Sequence, residues 1–339
     1  MLHKIIYSLW RQLYFLPIIC HNAMCRKRLL IPIYDKLNIK HKGIKAINKR
    51  EDKCIIYSVL PETTFSGGLS DRFRGIVSVY WECKQKGLPF KISFGSMNLT
   101  DYLQPNKYDW RLGDGEFDFD TEQSYPCTVL THHSNINNPI QMFAQRTVLR
   151  YYLRKKYRQI HVYTNMATAD KEYGTLFSEL FKPTHELQQL LDHHIESIGG
   201  KKSYNALVFR FRQLLGDFKE GGDIMPEKGR EEYIRQCLGK IESEYAKNPV
   251  KRLLVTSDSR TFLERVKNFP YVYIIPGEVV HMGFTFDAAK QTYMKSFIDY
   301  FMLSYASKVT LIREKRMYHS GFAYRAALLT DANYSEIWL

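Results

Sequence analysis

The stretch NALVFRFR, Asn205–Arg212, is an apolar run that ends in charge, and a loop and a helical pattern follow it. The same order recurs in RLLVTSDS before RTFLERVKNF, and in KVTLIR before HSGFAYRAALL. A strand-then-helix order repeated over Asn205–Leu329 predicts a doubly wound α/β sheet with parallel strands.

A second unit of this kind precedes it. CIIYSVL (Cys54–Leu60) predicts a strand, apolar residues from Leu69 recur at helical spacing, Gly87 is a helix stop, and PFKISF predicts the next strand. Helical patterns follow over Met142–Tyr157 and Leu180–Gly199, and Gly199-Gly200 then interrupts the chain. We therefore predict two Rossmann-like lobes, 51–200 and 201–339, after a basic segment, 1–50.

Four loops are predicted at the carboxyl ends of strands, where ligands bind in open α/β sheets. Serine and glycine before a helix offer backbone N–H groups, and arginine offers a fork for phosphate, so the set fits a nucleotide diphosphate. Strand alternation predicts Arg210 and Arg212 on one face of their strand. Ordinary capping, solvated edge arginines and plain turn glycines are the structural alternatives. The loops are Ser66–Arg72, Arg210–Asp217, Thr256–Arg260 and Tyr318–Phe322.

The order of motifs resembles the fucosyltransferase superfamily, which includes α1,2-, α1,6-, protein O- and nodulation fucosyltransferases. The shared pattern is G-G-x-x-D-R before a helix, R-x-R with a later acid, S-D-S, and D-x-x-x-L-S followed by S-G-F. The resemblance covers about Cys54 to Leu329. It implies a GT-B fold with two Rossmann-like lobes facing a cleft, and transfer from GDP-fucose without a metal.

The resemblance also implies roles for individual residues. Arg212 would hold the β-phosphate as GDP departs, and Asp71 and Asp217 are candidate bases for the acceptor hydroxyl. The histidine of the family motif is Arg210 here, three extra residues precede Gly216-Asp217, and the N-terminal Gly-Asn is Ser70-Asp71. The implied donor-binding residues are Gly67, Gly68, Arg72, Arg210, Ser257, Asp258, Ser259, His319, Ser320, Gly321 and Phe322.

The net charge of +14 is concentrated at one end of the chain. Residues 1–50 hold eleven Lys/Arg and one acid, which is +10 of the total. Ile5–Cys20 is apolar but interrupted by charge, so it is too short to span a bilayer and suits either an interfacial helix or one packed on the protein itself. Six cysteines without a C-x-x-C pair indicate reduced thiols. We expect a cytoplasmic enzyme that docks on the inner face of the membrane and acts on a glycan or lipid-linked glycan.

Three other functions compete with this one. Asp118-Phe119-Asp120 is a D-x-D, the pattern by which GT-A glycosyltransferases hold a divalent metal, although neighbouring acids favour a solvated loop. The basic segment and the aromatic residues would suit nucleic acid, but no known nucleic-acid motif is present. A non-catalytic protein that binds a nucleotide sugar would share the fold.

Overall fold

The computed structural model describes residues 16, 18–41, 53–59, 67–95, 97–129, 139–167, 169–217, 223–249, 252–277, 279–280, 282 and 290–339. These residues form two compact units. The first comprises the described residues within 1–67, 71–96 and 105–180, and the second comprises those within 68–70, 97–104 and 181–339.

Parallel strands form the centre of the first unit. The sheet has the order β2-β1-β5-β4, with β1 (Cys54–Ser58), β2 (Phe90–Ser93), β4 (Ser124–Thr128) and β5 (Gln159–Tyr163). Every residue of β1 and β5 is buried, as expected for parallel strands covered on both faces. The helices of this unit are α1 (Ile31–His41), α2 (Leu69–Gln85), α3 (Pro139–Leu153) and α4 (Tyr173–Leu180).

Helix α2 packs very closely against the chain that follows β5. A Cβ atom at Gly75 would collide with the carbonyl oxygen of Thr164 and lie 2.9 Å from the Tyr57 ring. Glycine therefore sets the distance between this helix and the sheet. The predicted strand, helix and strand of this part are confirmed, and the helix ends two residues before Gly87.

The second unit holds a five-stranded parallel sheet with the order β11-β10-β7-β8-β9. Strands β3 (Leu103–Pro105) and β6 (Phe181–Pro183) form a separate two-stranded sheet. The large sheet consists of β7 (Asn205–Phe209), β8 (Leu253–Ser257), β9 (Val272–Tyr273), β10 (Lys308–Arg313) and β11 (Asn333–Trp338). Its helices are α5 (His185–Ile198), α6 (Glu227–Lys247), α7 (Arg260–Val266), α8 (Lys290–Ser304) and α9 (Phe322–Ala327).

The strand order of the large sheet reverses between β7 and β10. Strands β7, β8 and β9 run outward in one direction, and β10 and β11 run outward in the other. This is the Rossmann order, and the crevice beyond the carboxyl ends at the reversal is where such folds bind ligands. One apolar cluster beneath that edge includes Phe209, Phe211 and Phe262, all buried.

Two details differ from the sequence predictions. The strand predicted to run to Arg212 ends at Phe209, so Arg210 and Arg212 lie beyond the strand and alternation does not place them. The division between the units falls at residue 180 rather than 200. Helix α5, whose start at Thr184 and stop at Gly199 match the predicted pattern, belongs to the second unit and pairs with α8 through Glu186 and Lys290.

The basic N-terminal segment is described from residue 16, without Pro17, to His41, and the interfacial pattern before it lies outside the described residues. Residues 18–25 are helical, a π-helical turn spans Arg26–Leu30, and α1 follows. Leu30 and Tyr34 are completely buried in the first unit, and Asn22 accepts a hydrogen bond from Thr128. This part of the segment therefore packs on the protein itself. In the described part of the chain, each helix is too short or too polar to cross a bilayer.

Candidate functional site

The site is built on the carboxyl edge of the second sheet, at the reversal between β7 and β10. The chain leaves β7 as Arg210-Phe211-Arg212 and leaves β10 as a loop that ends at Gly321. The two loops are joined, since the Tyr318 N–H donates to the Arg210 carbonyl at 3.1 Å. Two of the predicted loops are thus adjacent.

Asp258 holds the loop after β7 in place. It follows β8, whose Ser257 pairs with Phe209, so its carboxylate faces the next residues of the neighbouring strand. One carboxylate oxygen accepts from the Arg210 guanidinium and from the Arg212 N–H, both at 2.7 Å, and the other accepts from the Phe211 N–H at 2.8 Å.

The environment of Asp258 makes this role structural. Its side chain is only 1% exposed, and that of Arg210 is 15% exposed. Burial raises the pKa of Asp258, while Arg210 and the loop amides oppose that rise. With three donors on a buried carboxylate, the geometry favours a positioning role for Asp258 over the predicted contact with a base or ribose.

Arg212 has a backbone conformation that is rare for a residue with a side chain. Its φ of +56° lies in the left-handed region, which costs of the order of 1 kcal/mol or more. The hydrogen bond from its N–H to Asp258 holds that conformation. Its guanidinium lies 5.0 Å from the centre of the Tyr318 ring. The fold thus fixes Arg212 at the strand reversal, in partial exposure.

The predicted S-D-S loop also begins helix α7. Ser259 is the N-cap and accepts from the Phe262 N–H at 3.1 Å. Asp217, which is exposed, accepts from the Ser259 hydroxyl at 3.0 Å and from the Thr261 N–H at 2.5 Å. Asp217 therefore caps this helix, and both of its described partners belong to the helix start.

Two cavities open at this edge. One of about 470 Å³ is lined by Ser257, Arg260 and Gly277 among others, and a second of about 560 Å³ is lined by Arg212, Lys315 and others. Both volumes lie within the range of small-molecule sites. The first borders Asp258, and the second borders Tyr318.

The loop before α9 uses most of its predicted groups internally. Ser320 is buried and accepts from the Phe322 N–H at 3.2 Å, and the Phe322 ring packs on Tyr300 at 5.1 Å between ring centres. His319 contacts Glu336 of β11 at 2.8 Å. The N–H of Phe322 therefore serves the turn, whereas Gly321 remains partly exposed at the helix start.

The predicted residues after β1 lie largely in the first unit. Gly67 has a φ of +69°, and Gly68 is partly exposed. Arg72 is 3% exposed and donates from Nε to the Gly67 carbonyl at 3.1 Å. Asp71, whose side chain is 34% exposed, pairs with Arg74 at 3.0 Å. Arg72 thus braces the glycine loop, and Ser66 lies outside the described residues.

Sequence reasoning missed a buried ion pair in the second unit. Lys295 and Asp299 lie one turn apart on α8, 4% and 5% exposed, with Nζ to Oδ2 at 2.8 Å. A Cβ atom at Gly277 would lie 3.3 Å from the Lys295 side chain, so the pair is close to the first cavity. Two opposite charges at i and i+4 in the largely apolar stretch MKSFIDYFMLS of this helix were the available signal.

The D-x-D residues have local structural partners. Asp118 forms an ion pair with Arg158, and its Oδ1 accepts from the Asp120 N–H at 3.0 Å. Phe119 packs on Tyr34 at 5.5 Å between ring centres. Among the residues that the structure describes, no group of three or more His, Cys, Asp or Glu is placed to hold a metal ion. Asp118 and Phe119 of the D-x-D thus contact Arg158 and Tyr34 of the same unit.

No protein-family model matches the sequence, and no curated protein matches it either. Solved structures do. NodZ α-1,6-fucosyltransferase soaked with GDP-fucose matches with 15% identity and a TM-score of 0.50, over 82% of this chain and 93% of that one. Fucosyltransferase NodZ from Bradyrhizobium gives 16% identity, a TM-score of 0.50, and coverage of 83% and 94%.

A mutant of FUT1 from Arabidopsis thaliana in complex with GDP gives 16% identity and a TM-score of 0.49, over 91% of this chain and 77% of that one. Identities this low establish the fold only. The sequence-based prediction of a GT-B fold is confirmed. This chain has the α/β fold of the fucosyltransferase NodZ, with a Rossmann-ordered second sheet.

Proposed function

We propose that this protein is a glycosyltransferase that moves fucose from GDP-fucose to a hydroxyl group of a glycan. The observation that carries the proposal is the loop Arg210–Arg212, held by buried Asp258 at the strand reversal of the second sheet. The NodZ fold, seen in a crystal soaked with GDP-fucose, supports the choice of donor.

We assign to Arg212 the stabilisation of the departing GDP. As the bond between the sugar carbon and the β-phosphate oxygen breaks, negative charge develops on GDP. The guanidinium of Arg210 already binds Asp258, so Arg212 is the arginine of this loop that we assign to the β-phosphate. A fixed donor is most effective where charge develops, because its position needs no rearrangement during the reaction.

The acceptor hydroxyl attacks the sugar carbon from the opposite side, which inverts its configuration, and a base removes the hydroxyl proton. Asp71 is the base that we favour, since Asp217 caps a helix and Asp258 is buried. Arginine supplies the positive charge on the phosphate in this scheme, and for that reason we propose that no metal takes part.

The cavity lined by Ser257 and Arg260 is the site we propose for the nucleoside part of the donor. The acceptor is proposed to be a glycan or a lipid-linked glycan, reached from the cytoplasmic face of a membrane. The excess of positive charge in residues 1–50 supports that location, since anionic lipids attract clustered Lys and Arg.

The donor is tested by thermal-shift measurements with GDP, UDP and ADP, each with and without EDTA. We expect a selective rise in melting temperature with GDP that EDTA leaves unchanged. A response to all three nucleotides, or one that EDTA abolishes, would contradict the proposed donor or the metal-free scheme.

The role of Arg212 is tested by Arg212→Ala in a transfer assay with GDP-fucose. We expect turnover to fall by roughly 100- to 1,000-fold, as when one fixed donor to a developing anion is removed. Arg235→Ala is the matched control, because Arg235 is 75% exposed on α6. Near-normal turnover of Arg212→Ala, with the control also active, would exclude the assignment.

A further inference from the structure

The first unit carries a surface rich in cations and aromatic rings that two distant parts of the sequence form together. One part is the helical stretch 19–28, which holds Arg26, Lys27 and Arg28. The other is the end of α3 and the turn after it, 151–156, which holds Arg154, Lys155 and Lys156. We call the residues 19–28, Tyr125 and 151–156 the basic face.

Tyr125 of strand β4 joins the two parts. The Arg26 guanidinium lies 4.4 Å from the centre of its ring, and the Lys155 ammonium lies 5.7 Å from it. Lys155 also donates to the Tyr151 hydroxyl at 3.0 Å. Because these contacts connect both segments through one ring, their cations belong to a single surface.

The charge of this surface has one sign. Residues 16–34 and 139–158 contain no Asp or Glu, so neither segment brings its own acid. Three arginines of the segment 139–158 lie outside the basic face and bind carboxylates from elsewhere in the unit. Arg146 and Arg150 bind Glu82, and Arg158 binds Asp118. The cations of the basic face therefore project a net positive field.

The basic face also exposes apolar and aromatic side chains. Ile19 is 42% exposed, Met24 is 46% exposed and Tyr151 is 55% exposed. On the same helical stretch Ile18 and Asn22 are buried, so one side of the helix packs on the protein and the other faces outward. Lys27, Arg28, Arg154 and Lys156 are exposed among these side chains.

We propose that the basic face docks on an anionic phospholipid bilayer. Cations beside an exposed tyrosine suit the headgroup layer of a bilayer. Exposed Ile19 and Met24 can bury aliphatic surface in a bilayer, which a nucleic acid does not offer. The proposal goes beyond the proposed function by naming the docking surface. It adds 151–156 to the basic N-terminal segment, and it holds whether or not the protein transfers fucose.

The test is co-sedimentation of the full-length protein with vesicles of phosphatidylcholine, or of equal parts phosphatidylcholine and phosphatidylglycerol. We expect binding to the mixed vesicles only, weakened by added salt. The variant carrying Lys27→Gln, Arg28→Gln, Arg154→Gln and Lys156→Gln should bind them about 600-fold more weakly, since each of the four cations near an anionic surface contributes roughly a fivefold factor.

The matched control carries Lys228→Gln, Arg235→Gln, Arg265→Gln and Lys267→Gln, four exposed cations of the second unit. It should bind the mixed vesicles like the unchanged protein. Equal loss in both variants, or undiminished binding of the first variant, would overturn the proposal, as would binding to RNA without binding to vesicles. The melting temperature without any ligand checks that the first variant is folded, and it keeps this result separate from the test of fucose transfer.

Discussion

Each unit of this protein buries a polar network against a parallel sheet. The network in the second unit is charged, and the one in the first unit is neutral. In the second unit Asp258 keeps an arginine and two backbone N–H groups on its carboxylate. In the first unit His161 lies completely buried between Tyr34 and Gln159, each 2.7 Å from one ring nitrogen. Burial lowers the pKa of His161 to about 3, so the ring is neutral.

The difference follows from where each network lies in its sheet. Asp258 lies at the carboxyl edge beyond β8, where a held loop presents Arg212 at a cavity. His161 lies inside β5, where its partner Tyr34 fixes helix α1 to the sheet and also contacts the Tyr163 hydroxyl at 2.6 Å. The charged network of Asp258 thus organises a loop at the edge of its sheet, and the neutral network of His161 joins a helix to the middle of its sheet.

Asp258→Asn tests the charged network and has the largest expected effect on stability. An amide offers one acceptor in place of two and leaves Arg210 partly buried without its carboxylate, so we expect unfolding to become easier by about 3 kcal/mol. Chemical denaturation measures this change, and the affinity for GDP should fall with it because the Arg212 loop is released.

Asp192→Asn is the control for Asp258→Asn, since Asp192 is an exposed aspartate of α5 that accepts from Gln188 and lines neither cavity. If Asp258→Asn weakened GDP binding with stability unchanged, Asp258 would be a ligand contact, as the sequence predicted, and the contrast between the two networks would fail.

Acid tests the neutral network. Because the pKa of His161 is about 3 in the folded protein and its usual value is 6.5, the unfolded chain binds a proton first as the pH falls. The contribution of His161 to stability is therefore present above pH 6.5 and lost progressively between pH 6.5 and pH 3. At pH 5 the loss should be about 2 kcal/mol relative to pH 7.

The comparison with His161→Gln isolates this effect, since glutamine keeps polar atoms in the pocket but does not titrate. Between pH 7 and pH 5, the free energy of unfolding of the variant should fall by about 2 kcal/mol less than that of the unchanged protein. Parallel pH profiles for the two proteins would show that another group controls acid stability.

The smallest expected effect concerns Asp217, at the rim of the charged network. Asp217→Ala removes an acceptor from the start of α7 and should lower stability by about 1 kcal/mol, the usual cost of a lost cap. Turnover with GDP-fucose should stay within a few-fold, because Ser259 still caps the helix. A fall in turnover comparable to that of Arg212→Ala would instead make Asp217 the catalytic base.

The sequence by itself determined the elements that local chemistry encodes. The apolar runs predicted β1, β7, β8 and β10, because parallel strands that are buried on both faces consist of nearly continuous apolar residues. Thr184 and Gly199 bounded α5 through cap chemistry that depends on neighbours in the chain. Strand β11 (NYSEIW) was missed because half of its residues are polar and it lies at the edge of the sheet.

The tertiary structure decided what depends on residues distant in sequence. Three contacts require strands or helices to be placed side by side. Asp258 binds the loop of Arg210, Asp217 caps α7, and Arg26 and Lys155 both contact the ring of Tyr125. Spacing along a chain identifies which residues are polar, but a carboxylate becomes a base, a cap or a brace only through the donors that folding brings to it.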